Sequence, residues 1–249
     1  MKLAAVLACR NQSARLYGKP LQNLDVERRV SILDYLVAQL KMRKEISEIV
    51  LAISQREENK MYIEKSREYG IPHITGDDED VLGRLIKGAA LIGADHVFRV
   101  TTESPYPYLD TLSQVCADHD REGFDYSVIK SLPDGAYYQV IKTEALKTCW
   151  EKGGQRYRNE YCTKYIFDHK EQFKIKEQEV PAELRRASDI RLTVDWPEDL
   201  IVMREIYKGL NLHPAVKLNF LDVITFLDKN PKLNAVNNWI DSGKGRIWT

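Results

Sequence analysis

The sequence has no excess of charge. Its 249 residues carry 37 Lys and Arg against 37 Asp and Glu, a formal net charge of zero. A chain dedicated to nucleic acid normally shows a basic surplus, so the expectation is no nucleic-acid partner. Long apolar runs are missing too. The longest, around residues 3–9 and 49–53, are strand-sized and fall far short of the roughly 20 residues a membrane span requires. The first of them is also too short for a signal-peptide core, and Arg10 and Arg15 follow it at once. The four cysteines, Cys9, Cys116, Cys149 and Cys162, form no CxxC pair and no cluster with histidine at zinc-ligand spacing. Without an export signal they read as reduced thiols of a cytoplasmic protein. Two phosphate-binding patterns are absent as well, the Walker loop GxxxxGK[ST] and the dinucleotide fingerprint GxGxxG.

What is present is enough apolar residue, 43%, for a sizeable core and against a disordered chain. Residues 3–8 form a continuous apolar run, the pattern of a strand buried on both faces. A basic loop follows, and then Ser31 and Asp34 stand at the spacing of a capped helix start. Further on, strands are expected at 48–54, 71–74 and 95–101, with helices at 57–69 (ended by Gly70), 81–92 and 108–119. This alternation predicts an α/β fold with a mostly parallel sheet and helices on both faces.

After residue 120 the rhythm changes. Strand-like runs at 125–130 and 137–142 flank the turn signal Pro133-Asp134-Gly135. Helices are expected at 143–151 and 158–169, strands at 173–180 and 190–194, and helices at 196–208 and 218–228. No internal repeat or low-complexity linker interrupts the chain. The simplest organisation is a single domain over residues 1–249, with an inserted sub-lobe at 130–185 and a helical tail at 210–249.

In an open α/β sheet, ligands sit beyond the carboxyl ends of the strands. The loop Cys9-Arg-Asn-Gln-Ser-Ala-Arg-Leu-Tyr-Gly-Lys19 occupies such a place. It offers Arg10, Arg15 and Lys19 as cations, Ser13 as a hydroxyl, and Gly18 where the backbone must approach closely. Arg forks phosphate bidentately and Lys acts as a compact charge, so the set suits a polyphosphate. A solvated basic connector is the alternative.

This loop resembles the ARxGSxRLPGK signature of the cytidylyltransferases that make CMP-activated acidic sugars, in particular the group named after the spore coat polysaccharide biosynthesis protein SpsF. Four more blocks follow in the same order. They are Gly76-Asp-Asp-Glu-Asp-Val-Leu-Gly-Arg84 against GxxxDVLxR, Phe98-Arg-Val-Thr-Thr-Glu-Ser-Pro105 against VRITGDCP, Pro133-Asp134-Gly135, and Leu192-Thr-Val-Asp-Trp-Pro-Glu-Asp-Leu200 against LTVDTPEDL. The resemblance implies a Rossmann-like nucleotide-diphospho-sugar transferase fold. It implies an enzyme that joins a nucleoside triphosphate, CTP favoured, to a sugar with release of pyrophosphate. It further implies that Arg10, Ser13, Arg15, Gly18 and Lys19 hold the triphosphate, with Arg10 and Lys19 catalytic. Asp80 and Arg84 would lie near base and ribose. Glu103 and Asp195 would coordinate Mg²⁺, a hard cation suited to oxygen ligands. A homodimer is implied, with the 130–185 sub-lobe at its contact.

Asp195 also reads as the N-cap of the following helix, completed by Glu198, and Glu103 as a helix N-terminal acid. The chain departs from the family pattern at Gln12 (for Gly), Tyr17 (for Pro), Thr102-Glu103 (for Gly-Asp), residues 136–141 (for LDVEVF) and Tyr161 (for the His of EHVT, against Glu160-Tyr-Cys-Thr163). The lost acids leave two accounts open. Either Tyr137, Tyr138 and Gln139 line a pocket for a different acceptor, or the chain binds nucleotide without catalysis. The retained loop cations and Asp195 favour the first. A glycosyltransferase of the same fold is a further alternative, though the Asp-x-Asp it usually carries is replaced here by Thr101-Thr-Glu.

Overall fold

In a computed structural model, which describes residues 1–240, strand β1 (Leu3–Cys9) leads into a short hairpin of β2 (Asn23–Asp25) and β3 (Val30–Ser31). Helix α1 (Ile32–Lys41), β4 (Ile46–Ser54), α2 (Met61–Tyr69), β5 (His73–Gly76), α3 (Val81–Leu91) and β6 (His96–Arg99) follow in alternation. The chain continues with α4 (Leu112–Glu122), β7 (Tyr126–Ile129), β8 (Gln139–Lys142), α5 (Thr143–Gly153), α6 (Lys164–Asp168) and β9 (Ile175–Gln178). It closes with α7 (Pro197–Gly209), α8 (Phe220–Lys229) and α9 (Pro231–Asn234). The remainder of the expected helical tail, 241–249, lies outside the described residues.

One seven-stranded sheet runs through the molecule in the order β5-β4-β1-β6-β8-β7-β9. The half containing β5, β4, β1 and β6 is parallel. Strand β8 runs antiparallel to both its neighbours, and β9 joins β7 in parallel. Leu3, Ala4, Ala5, Val6 and Leu7 are all fully buried, which an alternating strand achieves only with helices on both faces. Each large side chain so buried contributes roughly 1.5–3 kcal/mol. Helix α3 packs on β1, β4 and β5, and α1 and α2 pack on β4. From β1 the chain winds outward to β4 and β5, then returns to the other side of β1 with β6. The switch point, where an α/β sheet opens a crevice, therefore lies between β1 and β6.

Local signals worked where bonds are local. Ser31 caps α1 through the Asp34 amide, and the Asp34 carboxylate accepts in return from the Ser31 amide. Gly70 ends α2 at φ +65°. Elsewhere distant partners shifted the boundaries. Helix α4 starts at Leu112 rather than 108, because the Tyr108 amide bonds the Ala136 carbonyl. The helix expected at 158–169 shrinks to α6, because the carbonyls of Arg158 and Glu160 serve Leu82 and Arg99. Residues 190–194 are not a ladder strand. Leu192 bonds Asp134 while Val194 bonds Glu103, two different segments. Within the expected sub-lobe at 130–185, β8 and β9 are members of the main sheet, and α5 packs on α3.

Gly135 crosses close against another stretch of backbone. Its φ is +90°, and a Cβ there would stand 2.5 Å from Leu192 C and Thr193 N. Neither atom can give way without moving the backbone. Gly135→Ala is expected to cost about 2–3 kcal/mol in denaturant unfolding, through the combined strain and overlap.

At α1, burial by itself would raise the Asp34 carboxyl, but hydrogen bonds from Ser31, Tyr69 and Lys65 outweigh it and hold the group below its ordinary value. A carboxyl lowered on folding stabilises above its unfolded value, and that contribution is lost as pH falls through the folded value. The stability gap between wild type and Asp34→Asn should therefore be full near neutrality and close below about pH 4. Urea unfolding at a series of pH values measures it.

Candidate active site

A cleft of about 600 Å³ opens at the carboxyl edge of the sheet, at the switch point between β1 and β6. The residue 10–19 loop, the 100–103 loop after β6, the Asp134-Gly135 turn, Glu160 with Tyr161, and the 191–196 segment line it.

The loop after β1 is held by a clamp centred on Asn11, which is 1% exposed. Its main-chain N–H donates to Asn59 Oδ1 at 2.8 Å, and its side-chain amide donates to the Glu58 carbonyl at 2.7 Å. Its Oδ1 accepts from the Tyr62 hydroxyl at 2.8 Å. The Gly18 amide closes the loop onto the Asn11 carbonyl at 2.9 Å, with Gly18 at φ +62°. Gln12, which stands where the family pattern has Gly, accepts through Oε1 from Asn59 Nδ2 at 3.0 Å. The clamp leaves Arg10, Ser13, Arg15 and Lys19 lining the cleft.

Glu103 and Asp195 line the same cleft, brought there from separate segments. Asp195 Oδ1 accepts from Lys19 Nζ at 2.7 Å and from Arg15 Nη2 at 2.9 Å, while Oδ2 accepts from Arg191 Nη2 at 2.5 Å. Burial would raise the Asp195 carboxyl, but Lys19, Arg191 and Arg15 outweigh it and hold the group below the usual carboxylate range. Glu103 goes the other way. Burial raises it, Lys19 opposes, and the neighbouring Asp195 charge adds to the rise. Two carboxylates that repel each other in a shared cleft are a donor set that a divalent cation relieves, and their oxygens suit a hard one. Among the described residues no group of three or more His, Cys, Asp or Glu is arranged to hold a metal. The oxygen donors Glu103 and Asp195 offer suit a hard cation by type, and Asp195 now shares its oxygens with Lys19, Arg15 and Arg191.

Arg191 is the residue that sequence reasoning missed. Its side chain is 5% exposed and is shared among three carboxylates. Nη1 meets Asp134 Oδ2 at 2.7 Å, Nη2 meets Asp195, and Nε meets Asp199 Oδ1 at 2.9 Å. Asp199 Oδ2 in turn accepts from the amides of Asp195 at 2.8 Å and Trp196 at 2.9 Å. The N-cap of α7 is thus Trp196, and Asp199 rather than Glu198 reaches back to the start of the helix; Asp195 is not the cap. The sequence signal existed: Asp134 sits inside the Pro-Asp-Gly block and Arg191 directly precedes the last block. Arg99, which bonds Gln139 Oε1 and the Glu160 carbonyl at 2.9 Å each, was also passed over and also lines the cleft.

Several expected site residues serve elsewhere. Arg84 borders the cleft but is 1% exposed, and its guanidinium donates to the carbonyls of Cys9, Ala52 and Asp78, tying the ends of β1 and β4. Asp80 lies outside the cleft lining. It caps α3 through the Gly83 amide at 2.6 Å and accepts from Trp150 Nε1 at 2.8 Å. Gly18 shapes the loop without lining the cleft. Tyr137, Tyr138 and Gln139 are core residues rather than cleft walls. Tyr138 stacks on Phe98, and Gln139 bonds Arg99, Tyr126 and Thr163. They are inward because β8 is a central strand covered on both sides, not the rim of a separate lobe.

Arg191→Met should destabilise the chain by roughly 3–5 kcal/mol at neutral pH, because three carboxylates lose their shared cation in a buried place. Arg191→Lys should fall between, since one ammonium cannot meet three carboxylates as the fork does. Equilibrium urea unfolding of both variants checks the order.

A clamped cationic loop facing a pair of carboxylates, at the switch point of a mostly parallel sheet, defines a nucleotidyltransferase of Rossmann-like fold. The comparisons with known proteins make the class specific. Residues 4–229 match the family model described as cytidylyltransferase, and the chain belongs to that family. It is 28% identical over 238 residues to an uncharacterised protein of Methanocaldococcus jannaschii, covering 96% of this chain and 95% of that one. It is 27% identical over 228 residues to the spore coat polysaccharide biosynthesis protein SpsF of Bacillus subtilis, covering 91% and 94%. A cytidylyltransferase structure from Leptospira borgpetersenii superposes with a TM-score of 0.83 at 19% identity, covering 98% of this chain and all of that one.

Proposed function

We propose that the protein transfers a cytidylyl group from CTP to a sugar, with Mg²⁺ and with release of pyrophosphate, for a surface polysaccharide or related glycan. The observation that carries the reading is the convergence of Arg10, Arg15 and Lys19 with Glu103 and Asp195 in one cleft of a cytidylyltransferase-family chain. The polysaccharide destination draws support from the printed name of the Bacillus relative.

In the transfer, a nucleophilic oxygen of the sugar forms a bond to the α-phosphorus as the bond to pyrophosphate breaks. Charge builds on the leaving oxygens, so the protein's task is positioning and neutralisation. Arg10, Arg15 and Lys19 supply three cations along the wall of the cleft, suited to the β- and γ-phosphates. Lys19 and Arg15 are already oriented by Asp195 before any ligand arrives, so a bound triphosphate shares them without a costly search for rotamers. Glu103 and Asp195 would hold Mg²⁺, which supplies a Lewis-acid charge at the phosphate oxygens. The Asn11 clamp keeps the loop's amides and cations in place through the reaction.

Incubation of the protein with CTP, Mg²⁺ and a panel of sugars should release pyrophosphate, and chelation of the metal should stop it. Lys19→Ala should lower kcat by about 100-fold or more while the chain stays folded. No turnover with any sugar in a broad panel, at saturating CTP and Mg²⁺, would count against the reading.

A further inference from the structure

We propose that Asn237 is a positioning residue for the Asp195 carboxylate, acting through Asp199 and Arg191. This rests on the reading above, in which Asp195 holds the metal. Asn237 lies beyond residue 229, where the family match ends, in the turn that follows α9. Nothing in its surrounding sequence marks it for chemistry.

The Asp195 carboxylate has one oxygen for each side of its neighbourhood. Oδ2 is held by Arg191, and Oδ1 is turned to Lys19 and Arg15, the cations of the triphosphate loop. Rotation of the carboxylate is therefore governed by where the Arg191 guanidinium stands. That guanidinium is set by Asp199 at Nε and Asp134 at Nη1. Asp199 also fixes the main chain of Asp195 by accepting from its amide. Both halves of the device meet at Asn237. Its Nδ2 donates to Asp199 Oδ1 at 2.9 Å and to the Arg191 carbonyl at 3.2 Å. One amide group thus holds the side chain of the first residue and the backbone of the second.

Two further observations fit this role. Asn237 is fully buried, yet its Oδ1 finds no hydrogen-bond partner among the described residues. A residue placed there only to fill volume would not carry an unpaired buried carbonyl; the donors are what the position uses. Asn234, one turn earlier, bonds the Asp189 carbonyl at 2.9 Å, so the segment just before Arg191 is held from the same direction. Groups behind a metal-holding carboxylate commonly change metal affinity by 10–100-fold when removed.

The test uses the full chain with Mn²⁺ as probe. Binding is followed by loss of the free-ion electron paramagnetic resonance signal in the presence of CTP, alongside CTP binding without metal and unfolding curves. Asn237→Ala is expected to raise the half-saturating Mn²⁺ concentration about tenfold. Metal-free CTP affinity and, at saturating metal, KM for CTP should stay within about twofold while kcat falls. Asn237→Leu removes the donors at nearly constant volume and should behave alike, so it decides the matter if the alanine variant does not fold. Folded variants that bind Mn²⁺ as the wild type does overturn the proposal, as does failure of both variants to fold, which would make Asn237 a stability residue only. A wild-type chain that takes up no Mn²⁺ with CTP instead overturns the metal-assisted reading itself, a result separate from any difference among variants.

Discussion

A guanidinium almost removed from water, ringed by three carboxylates, is the constraint on which the rest of this site depends. Arg191 draws Asp134 from a turn 57 residues upstream, Asp195 from one turn ahead and Asp199 from the first turn of α7. A charge so buried is costly unless every donor is met, so the segments that supply the acids have little freedom to sit elsewhere. The Asp134-Gly135 turn must cross the 192–193 backbone at a distance only glycine permits. The start of α7 must bring Asp199 under the main chain of Asp195 and Trp196. Through Asp195 the same network reaches Lys19 and Arg15, and so orders the loop after β1 from the opposite wall of the cleft.

The loop has its own anchor on the far side. Asn11 spends its amide N–H, side-chain N–H and side-chain oxygen on Asn59, Glu58 and Tyr62 respectively. Arg84 braces the strand ends beneath by donating to the carbonyls of Cys9 and Ala52. These two polar residues, buried at the border of the cleft, help a stretch with three cations within ten positions hold one shape despite its own repulsion. The overall charge of zero is distributed accordingly. Cations gather on the loop wall, and Glu103 and Asp195 line the same cleft, where burial first and the Asp195 charge second raise the Glu103 carboxyl.

The change of sheet direction at β8 has a functional consequence. Because β8 lies antiparallel against β6, Gln139 stands directly opposite Arg99, and the pair carries the cleft wall into the core. Tyr137 and Tyr138, adjacent on the chain, are both buried because this part of the sheet is covered on each face. Arg99, Glu160 and Tyr161 line the cleft, and the tyrosine pair does not.

The features legible in the sequence were those whose physics is contained within a few residues. They include the apolar run of β1, the Ser31–Asp34 capping pair, the Gly70 stop, the strand and helix alternation to β6, and the five ordered blocks that carry the family. The loop cations and the Glu103 and Asp195 carboxylates were readable too, since a motif preserves chemistry as well as spacing. The tertiary structure alone decided how each charged side chain is used. Asp195, Glu198 and Asp199 are three acids at the start of one helix, and local rules chose Asp195 as cap with Glu198 beside it. Burial of Arg191 reassigns them, sending Asp199 to the helix start and leaving Asp195 for the cleft. Arg84 and Asp80 look alike in a motif to groups that touch a ligand, yet one is consumed by strand carbonyls and the other by a helix cap. Helix caps and turns are settled by short-range hydrogen bonds that a sequence window contains. Which cation neutralises which acid across 57 or 180 residues is settled by packing, and no window of sequence holds both partners.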